Sequence, residues 1–139
     1  MIRLKSADIE EIKQIAQKTY PHECCGVMVG SIENGVKTVT ELIPAENQRT
    51  DSPANRYLIT PDLLNELEKK LKGTDRAIVG FFHSHPDVPA QPSTYDQDHA
   101  WPWYSYVIVS VNRGQAGEIH NWKLRDDRSA FDAEKMELL

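Results

Sequence analysis

His83-Ser84-His85-Pro86 closes an apolar run, Ala77 to Phe82, and concentrates the metal-binding chemistry of this sequence. On a strand, side chains two residues apart project to one face, so both imidazoles would meet an ion from the same side. Asp96 lies 11 residues beyond His85, just behind the helix-start signal Ser93-Thr94-Tyr95. That placement sets its carboxylate in a first helical turn, facing back toward the strand end. Two imidazole nitrogens and one carboxylate oxygen make three ligands. Zinc favours four-coordinate sites, and a catalytic zinc leaves the fourth position to water, so His83, His85 and Asp96 predict an open, hydrolytic Zn2+ site rather than a closed structural one.

These residues need a scaffold, and the periodicity supplies one. Ser6 to Tyr20 carries Ile9, Ile12, Ile15 and Ala16 at helical spacing and predicts an amphipathic first helix closed by Pro21. Cys24 to Gly30 reads as a buried strand that turns at Asn34-Gly35 into a return strand over 36–43. The polar segment 44–59 is long for a connection and is read as a functional loop bordering the cleft. Thr60-Pro61-Asp62 starts a second helix with Leu63, Leu64, Leu67 and Leu71 as its stripe and Gly73 as its stop. Strands follow over 76–83, 105–111 and 117–124, with a short helix from Ser93 between the first two. The stretch 126–139 is expected to be a loosely docked helix or a frayed tail. This order predicts one α/β domain spanning 1–139, a sandwich whose mixed, mainly antiparallel sheet is covered by helices.

Composition narrows the function. The net charge of −5, with 16 Lys and Arg scattered along the chain, speaks against capture of nucleic acid and suits a peptide or protein substrate. No apolar stretch nears the roughly 18 residues of a membrane span, and the first residues lack a secretory apolar run, so a cytoplasmic protein without a membrane partner is expected. Cys24 and Cys25 are adjacent, a spacing that closes no unstrained disulfide and forms no metal knuckle; they read as small buried hydrophobes. Neither nucleotide-binding glycine loop is present. Asp87, Asp98 and His99 flank the motif in solvated or supporting roles, and His22 and His120 read as structural. Trp101, Trp103 and Tyr104 are either core packing or a wall for an extended substrate tail.

Glu23, then His83-Ser84-His85-Pro86, six residues, Ser93, two residues and Asp96 together resemble the JAMM (MPN+) metalloprotease pattern. Pro21-His22-Glu23-Cys24-Cys25-Gly26-Val27-Met28-Val29-Gly30 is similar to the opening strand of its short, stand-alone prokaryotic members. The resemblance implies a cytidine-deaminase-like α/β/α fold, with zinc on His83, His85 and Asp96. It implies Glu23 as the general acid/base and Ser93 as the oxyanion donor, a role compatible with capping the helix. Without it, Glu23 would read as a solvated carboxylate before a strand. The implied activity is hydrolysis of a peptide or isopeptide bond at the C-terminal tail of a ubiquitin-like protein. Release of cysteine or another residue after Gly-Gly of a ThiS/MoaD-like sulfur carrier is the leading form. A homodimer is left open. The rivals are a deubiquitinase-like isopeptidase, a catalytically silent MPN interaction module, a zinc deaminase and a phage-tail or cell-wall peptidase. Intact Glu23 and ligands argue against the silent module, and the missing Pro-Cys-x-x-Cys argues against the deaminase.

Overall fold

The computed structural model describes residues 1–46 and 59–139. Most of the loop expected over 44–59 therefore lies outside the described residues; Pro44 and Ala45 belong to a strand. In chain order the elements are β1 (Ile2–Leu4), α1 (Ser6–Thr19), β2 (Cys25–Glu33), β3 (Val36–Ala45), α2 (Pro61–Leu71) and β4 (Ala77–Pro86). They continue with α3 (Thr94–His99), β5 (Ser105–Asn112), β6 (Gln115–Leu124), β7 (Phe131–Ala133) and β8 (Met136–Leu138). Among the described residues the eight strands form one sheet in the order β7-β6-β5-β4-β2-β3-β1-β8. The β2/β3, β2/β4, β5/β6 and β6/β7 pairs are antiparallel, whereas β4/β5, β1/β3 and β1/β8 are parallel.

The local signals act as expected. Asn34 and Gly35 take positive φ of 51° and 77°, as a two-residue hairpin turn between right-twisted strands requires. Thr60 caps α2 by accepting from the Leu63 amide, with Pro61 in the first turn. Alternation along β4 then divides the core. Phe82 joins Ile12, Ala16, Met28, Val107 and Val109 under α1, while Phe81 joins Leu67, Val27 and Tyr106 on the other face. Helices thus cover both faces of a mixed sheet, the α/β/α sandwich expected. Gly26 lies opposite Phe82, whose ring stands where a β-carbon would go, so β2 approaches β4 closely just below the site.

The C-terminal stretch corrects the sequence reading. Instead of a helix or tail, 126–139 contains β7 and β8, which extend the two ends of the sheet. Glu134, between them, accepts from Asn121 Nδ2 at 2.8 Å and from Ser105 Oγ, and lies 4.0 Å from Lys37 Nζ. Lys37 itself donates to Ser105 Oγ at 2.8 Å. Strands of three residues are too short to show a period of two. Local helix propensity in Ala-Glu-Lys-Met-Glu-Leu-Leu then loses to tertiary pairing and a buried polar cluster. β1, also three residues long, escaped notice for the same reason.

Candidate functional site

His83 and His85 stand near the C-terminal end of β4, a central strand, on the face shared with Phe81. Both are buried. Their Nε2 atoms are 3.1 Å apart. His85 donates from Nδ1 to the Pro89 carbonyl at 2.9 Å, which in the neutral ring leaves Nε2 as a bare lone pair. Asp96 completes the cluster, with Oδ2 3.1 Å from His85 Nε2 and Oδ1 3.3 Å from His83 Nε2.

The helix cap explains why a serine stands three residues before this aspartate. Ser93 is the N-cap of α3: its Oγ accepts from the Asp96 amide at 3.1 Å, and its own amide donates to Asp96 Oδ2 at 2.9 Å. This reciprocal capping box locks Asp96 at the third helical position, pointing back at β4. The far end of α3 is held by Arg128, which donates to the carbonyls of Gln97 and Asp98.

Protonation states agree with the geometry. Burial lowers the His83 pKa below its usual value despite the neighbouring Asp96, keeping the ring neutral. Asp96 is held well below the usual carboxylate range: burial opposes ionisation, but the adjacent His83, the close contacts with both imidazoles and the hydrogen bond from the Ser93 amide outweigh it. A neutral His83 imidazole beside an ionised carboxylate is the form a metal requires of them. The spacing also fits one. Ligand atoms bound tetrahedrally to zinc at roughly 2.0–2.1 Å lie about 3.3 Å from one another. With the His85 ring neutral, its Nε2 faces Asp96 Oδ2 acceptor to acceptor, a contact that a cation between them would relieve.

Glu23 arrives from the α1–β2 connection and is only 2 % exposed. One of its carboxylate oxygens and nitrogens of His83 and His85 lie within 4.8 Å of one another. Burial, reinforced by Asp96, pushes its pKa up to about 9. Glu23, His85 and Ser93 line a cleft of about 330 Å³ walled by Pro86, Val88 and Pro92. A wider groove of about 820 Å³ between α2 and Trp103 brings together no such set of donors.

Of the five residues singled out in the sequence, Glu23, His85 and Ser93 line this cleft, and His83 and Asp96 lie against His85. Others do not join them. Cys24 and Cys25 are buried, and burial raises their thiols to about 11 and about 12, so they are inert at neutral pH. Trp101 and Trp103 are 63 % and 62 % exposed, which removes core packing as their role, while Tyr104 packs edge-on against Phe81. His22 and His120 are exposed and support no core. Sequence reading missed Tyr20, whose hydroxyl donates to Asp87 Oδ2 at 2.7 Å. No pattern links positions 67 residues apart, although the His-Pro-Asp run did mark Asp87 as a supporting residue.

Residues 5–125 match the family of prokaryotic homologues of the JAB domain, and the chain belongs to that family. Among curated relatives, a desampylase from Haloferax volcanii is 32 % identical over 103 residues, covering 73 % of this chain and 70 % of the relative. A probable TtuB-protein conjugate cleaving protease from Thermus thermophilus is 31 % identical over 104 residues, covering 75 % and 66 %. A JAB1/MPN domain protein from Archaeoglobus fulgidus shares the fold, with a TM-score of 0.62 at 17 % identity over 100 % of this chain and 99 % of that one.

Proposed function

We propose that this chain is a zinc-dependent peptidase acting on the C-terminal tail of a ubiquitin-like or sulfur-carrier protein, for instance releasing cysteine or another residue after Gly-Gly. The observation that carries this reading is the convergence of His83 Nε2, His85 Nε2 and the Asp96 carboxylate, at mutual separations of 3.1–3.3 Å, beside the buried Glu23. The two protease relatives support the substrate class by their names, since a desampylase and a TtuB-conjugate protease act on protein conjugates.

In this reading His83, His85 and Asp96 hold the ion and Glu23 carries protons. Zinc, when bound, supplies Lewis acidity, polarising a carbonyl and making water a competent nucleophile near neutral pH. Glu23 takes the proton of the attacking water and delivers it to the departing amine; its carboxyl stands at about 9 in the metal-free site, and a cation bound beside it would lower that value into the range where the carboxylate can accept the proton. Ser93 Oγ accepts from the Asp96 amide and keeps its own proton to donate to the oxygen that gains charge at the scissile carbonyl. An extended tail ending in small residues suits the narrow cleft between Glu23 and the proline-lined wall. Among the described residues no helix is long and apolar enough to cross a membrane, compatible with a cytoplasmic substrate.

The test is incubation of the zinc-loaded protein with sulfur-carrier proteins extended beyond Gly-Gly, read by intact mass with and without a chelator. Chelator-sensitive trimming is expected. Cleavage of ubiquitin linkages with all carriers intact would replace this substrate by the deubiquitinase reading, and no hydrolysis of either would favour the silent module.

A further inference from the structure

Glu23 belongs to a different segment from the three proposed ligands, so what holds it in register with them matters as much as its presence. The antiparallel β2/β4 pairing ends with Cys25 opposite His83. Continued by two residues, that register sets Glu23 opposite His85, and a slip of one residue would turn its side chain to the other face. Here the ordinary ladder gives way. The Cys24 amide donates to Ser84 Oγ at 2.8 Å rather than to a backbone carbonyl, while the Ser84 amide donates to the Cys24 carbonyl at 3.2 Å. Both residues are buried, so the contact is shielded from competing water.

A second tie lies on the other side of Glu23. Tyr20 donates its hydroxyl to Asp87 Oδ2 at 2.7 Å. Asp87 is itself anchored: its amide donates to the Val111 carbonyl at 2.7 Å, and its Oδ1 accepts from the Arg113 amide at 2.8 Å. It holds φ of +59°, so the chain turns sharply just after the metal-binding strand. Segment 20–24 is therefore fastened to segment 84–87 at both ends, with Glu23 between the fastenings of the first and His85 between those of the second.

We propose that Ser84 and the Tyr20–Asp87 pair are positioning residues that keep the Glu23 carboxyl in register with His83 and His85. This rests on the peptidase reading for its consequence in catalysis, though not for the tie itself. None of the three need touch substrate or metal. Their effect is on reactive geometry, where a displacement of about 1 Å costs on the order of a hundredfold in rate.

Tyr20→Phe deletes one oxygen, and Ser84→Ala deletes the other acceptor. Each should lower kcat by roughly ten- to a hundredfold, with KM and the zinc bound per chain unchanged. In metal-free protein, amide hydrogen exchange at Cys24 should quicken in Ser84→Ala, and exchange at His22 and Glu23 should quicken in Tyr20→Phe. Wild-type kcat in both variants would overturn the proposal, as would losses that merely track lost zinc or unaltered exchange in both. Should Ser84→Ala fail to fold, Tyr20→Phe on the part-exposed ring still decides. If the wild-type protein hydrolyses no carrier or ubiquitin linkage, the functional reading fails, while the exchange measurement still tests the tie.

Discussion

His83 and Glu23 lie close together, yet their losses should be distinguishable. His83 Nε2 lies 3.1 Å from its histidine partner and 3.3 Å from Asp96, so on the proposed reading His83→Ala would remove one of the ion's ligands. Bound zinc, measured directly by metal analysis, should fall well below one per chain. Glu23→Ala should retain zinc at the wild-type stoichiometry while hydrolysis drops by about 10²–10⁴-fold, the usual contribution of a positioned acid/base. Zinc loss in that variant would instead make Glu23 a ligand. At this scale the sequence was informative, because two histidines at strand spacing and an aspartate behind a helix start are local patterns. Glu23 is different: its proximity spans 60 residues of chain and arises only when β2 is laid against β4.

Among the elements, α3 shows most clearly how a motif spacing can also be a folding rule. Ser93 and Asp96 form a reciprocal capping box, so the serine that is proposed to donate to substrate also aims the aspartate. Ser93→Ala should therefore weaken zinc binding by about ten- to a hundredfold, as loss of a partner that orients a ligand generally does. A competition titration against a chromophoric chelator reads that affinity. Loss of the cap should cost about 1 kcal/mol of stability in addition. The cap was legible from Ser93-Thr94-Tyr95-Asp96, and so were α1, α2 and the Asn-Gly hairpin, because each rests on contacts within a few residues. β1, β7 and β8 were not, since three residues carry no periodicity, and β1 and β8 moreover pair with strands distant in sequence.

For the molecule as a whole, the polar cluster of Lys37, Ser105, Asn121 and Glu134 carries a definite expected effect on stability. Lys37 is 7 % exposed, and removing Glu134 would leave that ammonium without its countercharge. Glu134→Ala should lower the free energy of unfolding by about 2–4 kcal/mol in urea titrations, less than for a fully buried pair because Glu134 keeps some solvent contact. The pH dependence has a definite sign. For Glu134, burial works to raise the pKa, but the Ser105 hydrogen bond, Lys37 and Asn121 overcome it and hold the value below the ordinary 4.5. The folded state thus binds fewer protons than the unfolded one, so this stabilisation is present above pH 4.5 and is lost as pH falls from there toward the lowered folded value. In Glu134→Ala the acid limb of the stability curve should be correspondingly shallower.

The sequence by itself determined the α/β class and the helix and hairpin boundaries and offered the proposed ligand set, because each follows from backbone periodicity, capping or side-chain chemistry within a short window. Tertiary structure alone decided that Glu23 stands beside His83 and His85, that Ser84 and Asp87 fasten its segment, and that the last residues extend the sheet. The physical reason is that these outcomes depend on strand register and on hydrogen bonds between residues 60 or more positions apart. Such contacts acquire their partners only when the chain has folded, and no local pattern encodes them.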